Sequence, residues 1–414
     1  MTKNRSLWVA WLLLAIPFYA HATDWQYSWN GGLYGYGNAM AVRDDSLINP
    51  SNQLARMAQR SITAETRLNL KAESEALRLT ARPIVLGRRD DNSFGSTNTS
   101  EGYLSQWQAR WRASETLALS GGRELLNWGP AQFRSPSNPF YFNNGRGNPM
   151  SELSGMDALR LSWSPEVSRS IYVARIFDSG HAPSDPDPWA RSWLVKADWR
   201  GEESAVGVAV AQRAQQSVFF GAHAQRTVGD AWLLYGELGS STRMNALISS
   251  ADLSQPFTVE QETSRRTDTL LGAAYTFESG HNLTVEYLRY GHGYSAAESD
   301  AYFTRAASAA AIFPAGNSIP ILANALTAAP PLLGRNYLHL VWQSSPMESS
   351  GFVRLMATHS VTDNSEEFSG YAEHTVSAHL SAFAIAVFTT GGAQRESARL
   401  FDRLITLGVR VALP

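Results

Sequence analysis

The chain has 414 residues with 35 basic and 37 acidic side chains, a formal net charge of −2, and 17% of its residues are charged, against ~25% in an ordinary soluble domain. Near-neutrality excludes a broadly basic nucleic-acid coat, and the absence of cysteine excludes disulfide scaffolds, thiol catalysis and cysteine–zinc sites. A mean hydropathy of −0.24 argues against a bundle of membrane-spanning helices.

The first 22 residues read as a secretory signal peptide. Lys3 and Arg5 precede an apolar run over 7–16, too short to cross ~30 Å of hydrocarbon as a helix. Pro17 breaks the run, and Ala20-His21-Ala22 has the small-x-small form of a cleavage site. The mature chain is expected over 23–414. It has no apolar run of eighteen or more residues, so it is either soluble or enters a membrane as strands.

Alternation decides for strands. In 61–73, Ile62, Ala64, Thr66, Leu68, Leu70 and Ala72 occupy one phase, and Ser61, Thr63, Glu65, Arg67, Asn69, Lys71 and Glu73 the other. Period two held over so many residues exceeds a typical soluble strand. It fits a membrane strand of ~9–11 residues or more with its apolar side toward lipid. The pattern recurs in 77–85, where Pro83 costs a ladder bond, and in 103–112, 193–200, 271–278, 283–287, 338–343 and 405–413. Short links such as 113–116, 201–204 and 279–282 alternate with long ones over 38–59, 87–102, 126–155, 178–191, 240–267 and 292–335. The predicted strands run over 25–37, 60–73, 75–86, 102–112, 117–125, 156–163, 169–177, 192–200, 205–213, 217–226, 231–239, 268–278, 283–291, 336–343, 351–360, 367–377, 380–390 and 400–413. That makes an all-β chain: one antiparallel transmembrane β-barrel of about 18 strands with long extracellular loops. Sixteen strands is the alternative, because 205–239 and 367–390 have weak phases. Trp25, Trp107, Trp111, Trp163, Trp193, Trp199, Trp232 and Trp342 in the apolar phase suit interface girdles.

The inward phase of the first half is basic. Arg67, Lys71, Arg78, Arg82, Arg110, Arg112, Arg123 and Arg160, with Lys196 and Arg200, fall in it or at its loop-side end. Glu65, Glu73 and Asp198 are the acids nearby, while the second half offers Glu237, Glu278 and Glu286. A basic strip facing a more acidic one would concentrate anions between low-dielectric walls. The competing reading is that the arginines pair across strands and fill the lumen.

Residues 126–155 are rich in Asn, Gly and Pro and carry Trp128, Phe133, Phe140, Tyr141 and Phe142 with Arg134 and Arg146. A loop this aromatic needs something to pack against. Folding into the barrel mouth would narrow the pore, with Trp128, Arg134, Phe140, Tyr141 and Arg146 as constriction residues suited to sugar rings or carboxylates. The bland alternative is a rim loop without a ligand. In 292–335, an Ala-rich stretch over 299–311 suggests a short helix. The apolar stretch after it contains Pro314, Pro320, Pro330 and Pro331 and cannot span as a helix. It is expected as an external lid or a second plug.

Enzyme chemistry finds little support. The histidines have no paired spacing, Gly291-His292-Gly293-Tyr294-Ser295 is not a nucleophile elbow, and no metal-ligand spacing occurs. No enzymatic activity and no cofactor are expected.

The run Gly122-Arg123, Asn127-Trp128-Gly129-Pro130 and Ser135-Pro136-Ser137-Asn138-Pro139 resembles proteobacterial outer-membrane porin-like families. More loosely it resembles the barrels of exopolysaccharide systems, the capsule-assembly surface lectin and the alginate exporter. The resemblance implies passage of small solutes or of a secreted polysaccharide. Taken with the basic lumen, the expectation is a Gram-negative outer-membrane porin passing anionic solutes or an acidic polysaccharide. The alternative is a closed barrel that holds polysaccharide at the surface. Outer-membrane lipid and the barrel-assembly machinery are the other expected partners, and nucleic acid is not one.

Overall fold

The computed structural model describes residues 24–181, 189–214, 217–345 and 350–414; the expected leader over 1–22 lies outside the described residues. The alternating segments form β1 (Gln26–Val42), β2 (Arg60–Glu73), β3 (Leu77–Asn92), β4 (Gly95–Arg112), β5 (Leu117–Glu124), β6 (Met156–Glu166), β7 (Arg169–Asp178), β8 (Ser192–Arg200), β9 (Ser204–Arg213), β10 (Phe219–Val228) and β11 (Trp232–Ser241). After a short pair, β12 (Ala246–Ile248) and β13 (Thr258–Glu260), come β14 (Arg266–Thr276), β15 (Asn282–Arg289), β16 (Asn336–Gln343), β17 (Gly351–Ser360), β18 (Ser365–Thr375), β19 (Leu380–Thr389) and β20 (Phe401–Leu413). β12 and β13 pair only with each other; the rest make one 18-stranded sheet. Each strand pairs antiparallel with the next, and β1 closes the ring by pairing with both β2 and β20. Closure removes every sheet edge, which hydrocarbon demands because it cannot hydrogen-bond an unpaired strand. The expected count of eighteen stands.

Side chains sort as the alternation requires. On β2, Ser61, Thr63, Glu65 and Arg67 are buried inward while Ile62 is 69% exposed outward. Leu271, Leu338, Leu355, Phe368 and Leu407 continue the outward belt. Trp111, Trp163, Trp199 and Trp232 stand exposed beside short connections at one end, here the turn side. Trp25 and Pro414 lie at that same end. The connections over 43–59, 125–155, 242–265 and 290–335 lie at the other, the loop side. Pro83 sits where the β3–β4 register shifts, a bulge that absorbs its missing N–H.

One expectation needs correction. The long link over 87–102 is a hairpin: β3 and β4 continue their ladder to Asn92 and Gly95, with the turn at Ser93 and Phe94. Its alternation vanishes because both faces are polar beyond the lipid, as in Arg88–Asp90 and Arg89–Asp91. The weak phases over 205–239 and 367–390 also have a cause. On β9, outward Val206, Val208 and Val210 meet lipid while Ala209 and Ala211 are buried inward. A strand that is apolar on both faces has no period to read.

The loop over 292–335 is an external lid. It holds α1 (Ala296–Ala311), opened by a Ser295–Glu298 capping box, and α2 (Ser318–Thr327). Tyr302, Phe303 and Leu322 pack on Ile48 and Leu247 from the two neighbouring loops. Glu396 accepts hydrogen bonds from the N–H groups of Leu333 and Gly334 at 2.8 and 3.0 Å, tying the lid to the last loop.

Candidate functional site

Residues 125–155 leave β5 and turn into the lumen. Leu126, Phe140 and Tyr141 pack on Met156, Ala158, Ile176 and Leu194, inner-face residues of β6, β7 and β8. From the other side of the loop, Ala131, Phe133 and Phe142 meet Tyr235, Leu270, Leu288 and Tyr337 of the opposite wall. The loop therefore spans the barrel, and the inner wall turns apolar where the loop touches it.

Two wall carboxylates fasten it. Glu237 on β11 accepts the Ala131 N–H at 2.9 Å, the Ser135 hydroxyl at 2.6 Å, and the Ser137 N–H and hydroxyl at 3.2 and 2.7 Å. Glu286 on β15 accepts the N–H groups of Gln132 and Phe133 at 2.6 and 2.8 Å and the Tyr235 hydroxyl at 2.6 Å. These acids do not form the expected counter-strip: both are buried under the loop, and Glu278 lies in the turn after β14.

Two inward glycines let the loop backbone lie flush. A Cβ at Gly239 would sit 2.0 Å from the Pro136 carbonyl oxygen, and one at Gly221 would sit 2.3 Å from that of Ser137. Gly239→Val is therefore expected to push segment 135–138 off the wall and raise single-channel conductance. The heat-modifiable gel shift of a folded barrel should be kept. Wild-type conductance in a folded variant would show that the loop adapts without moving.

The distinctive motif is the framework of this plug. Trp128 Nε1 donates to the Ser137 carbonyl at 3.0 Å, and Asn138 Nδ2 donates to that of Leu126 at 3.0 Å. Asn138 Oδ1 accepts the Phe140 and Tyr141 N–H groups at 3.0 and 3.2 Å. Of the expected constriction residues, Phe140 and Tyr141 are buried packing. Arg146 is used internally, donating to the carbonyls of Pro130, Ala131 and Gly129 at 2.7, 2.6 and 3.0 Å. Trp128 packs edge-on against Phe140 and borders the turn-side vestibule. Arg134 alone of the five faces the gap beside the loop.

The expected basic strip divides. Arg67 pairs with Glu65 at 2.8 Å and with Glu152 at 2.9 Å, and Arg82 reaches the same Glu152 oxygen at 2.8 Å. Lys71 and Arg78 share Glu73. Arg123 binds Asp157 at 2.8 Å, and Arg160 binds Glu124 at 2.7 Å. Arg110, Arg112 and Arg200, exposed near the turn-side mouth, have no ion pair among the described residues, while Lys196 pairs with Asp198. Much of the strip is thus compensated, partly by an acid from the loop that lies far away in sequence.

Two cavities flank the plug. A turn-side vestibule of ≈ 640 Å³ is bordered by Trp128, Arg160, Lys196, Asp198 and His223. A gap of ≈ 460 Å³ runs between the loop and the wall of β16–β20, bordered by Arg134, Glu152, His339, Glu367 and Tyr371. A third cavity nearer the lid shares Phe133, Arg134, Thr358 and Glu367 with this gap, so the two adjoin. Among the described residues no group of three or more His, Asp or Glu is placed to hold a metal. The sequence reading missed Glu152, His339 and Glu367. Glu152 had a signal: it is the only acid in 126–155.

No protein-family model matches the sequence, and no curated protein matches it. Among solved structures, OccK11 (OpdR) of Pseudomonas aeruginosa is similar with a TM-score of 0.52 at 13% identity, over 94% of this chain and 96% of that one. A triple mutant of the Rhodopseudomonas blastica porin covers 94% of this chain and 100% of its own at 11% identity, with a TM-score of 0.46. At such identity the likeness to OccK11 is one of architecture, a porin-like barrel of the outer-membrane type. The resemblance to exopolysaccharide barrels gains no support from it.

Proposed function

We propose that the chain is a passive outer-membrane channel for small anionic solutes. One arrangement carries the reading. A loop fastened across the lumen leaves a side gap of ≈ 460 Å³, a size ordinary for a small-molecule site, ~300–1,000 Å³. Arg134 borders that gap, and the uncompensated Arg110 and Arg112 face the turn-side mouth. Fixed cations between low-dielectric walls draw anions toward the opening. An acidic polysaccharide would need the plug withdrawn. No catalytic step is part of the proposal.

Arg110→Gln with Arg112→Gln tests it. Neither side chain is committed to an acid, so folding should be kept. The anion/cation permeability ratio, from reversal potentials in a salt gradient, should fall. The fall should be largest at low salt, where the Debye length reaches ~30 Å at 0.01 M. Unchanged reversal potentials would sink the anionic reading. A reconstituted protein that conducts nothing, even with 126–155 removed, would favour the second reading, a closed barrel whose loops hold polysaccharide.

A further inference from the structure

We propose that the outer face of β1, β2 and β20, at the loop-side edge of the apolar belt, binds the phosphate of an anionic membrane lipid. The register places the parts: Ala39 of β1 lies opposite Arg60 of β2 and Ile405 of β20, and Ala41 lies opposite Arg403. Arg60 is in the outward phase of Ile62, and Arg403 in that of Ile405 and Leu407. Short side chains between two long ones leave an external groove of ≈ 740 Å³, bordered by Ala39, Ala41, Arg60, Asp91, Arg403 and Ile405.

Strand spacings of ~4.8 Å and a two-residue step of ~6.8 Å put the two arginine Cα atoms ~12 Å apart. Two guanidinium groups on long flexible stems converge on one phosphate across that span, and their fork geometry suits its oxygens.

The acids nearby are engaged by other groups. Asp91 is held by Arg89 at 3.2 Å and by the Ser96 hydroxyl, and Asp402 by Arg43. Neither Arg60 nor Arg403 forms an ion pair or donates a side-chain hydrogen bond among the described residues. Asp91 also stands opposite Arg60 across the β2–β3 pair, but it is shared with Arg89, so the groove keeps a net positive charge. Its height is also specific: Ile62 and Leu407, 69% and 63% exposed, are outward residues of the belt just below it. A headgroup would sit in the groove with its acyl chains against the belt. A second copy docking by the same face would bring its own arginines against these and be repelled.

The test uses the purified full chain in detergent micelles, titrated with phosphatidylglycerol or zwitterionic phosphatidylcholine and read by native mass spectrometry. Wild type should retain phosphatidylglycerol in preference. Arg60→Gln with Arg403→Gln should lower that retention about tenfold, the factor that ~1.4 kcal/mol represents. Both side chains lie outside the barrel and hold no ion pair or side-chain hydrogen bond among the described residues, so the variant should keep its heat-modifiable gel shift. Equal retention by variant and wild type overturns the proposal, as does equal retention of the two lipids. Arginine-dependent binding of inorganic phosphate alone, at the same affinity, overturns the lipid assignment. A dimer that the double substitution dissociates shows a second copy to be the occupant and overturns it too.

Discussion

Glu237→Ala combined with Glu286→Ala is expected to open the channel, with a large rise in single-channel conductance and a loss of ion selectivity. The two carboxylates take six hydrogen bonds from the loop between them, four at Glu237 and two at Glu286. A hydrogen bond to a charged group is worth about 1.5–3 kcal/mol, and a donor left buried without its acceptor costs a further penalty. The apolar contacts on the other side of the loop remain, so the loop should swing or fluctuate rather than unfold. The barrel ladder does not pass through these side chains and should hold. A folded double variant with wild-type conductance would show that packing around Phe140 and Phe133 is enough to seat the plug. Each single substitution should give a smaller rise, larger for Glu237 because it holds more of the loop.

The second expected result concerns Glu152. One of its oxygens bridges Arg67 and Arg82. Glu152→Gln removes the negative charge and leaves Arg82 with no ion pair among the described residues, while Arg67 keeps Glu65. The gap bordered by Glu152 then becomes more positive, and the anion/cation permeability ratio should rise severalfold at low ionic strength. The loop stays seated, since Arg67 also donates to the Met150 carbonyl at 2.9 Å and the two wall glutamates are untouched. Selectivity should therefore change more than conductance. A rise in conductance without a change in reversal potential would mean that Glu152 serves as a tether and not as a charge in the path.

The barrel was legible because lipid and water impose opposite demands on alternate residues, and β2 displays both without interruption. The same logic explains where the pattern misled or weakened. The β3–β4 hairpin has water on both sides at its tip, so polarity stopped marking its strands. β9 has lipid on one side and the plug on the other, so apolarity stopped marking its faces. The inward loop was readable from its aromatic content. What its residues do was not. Arg146 and Tyr141 looked available to a solute, yet a loop crossing a lumen must satisfy its own backbone groups. Arg146 is the donor that caps its carbonyls, and the Tyr141 hydroxyl donates to the Ser154 carbonyl at 2.5 Å. Glu237 and Glu286 were visible as lumen acids. Their role depends on contacts 106 and 154 residues away along the chain, as for Ala131 and Gln132, and no local pattern records such a distance.

That separation sets an order of events during assembly. The plug follows β5, but its seat is built on β11 and β15, which come late in the chain. Until those strands join the growing sheet, the loop's N–H groups have no carboxylates to meet and its aromatic side chains have only half a wall. The barrel must therefore form much of its circumference around an empty lumen, with the plug docking afterwards. Long-range contacts of this kind are slow to find. A nascent barrel should thus pass through a stage with a wide, open lumen, and the narrowing of that lumen is the product of a late step.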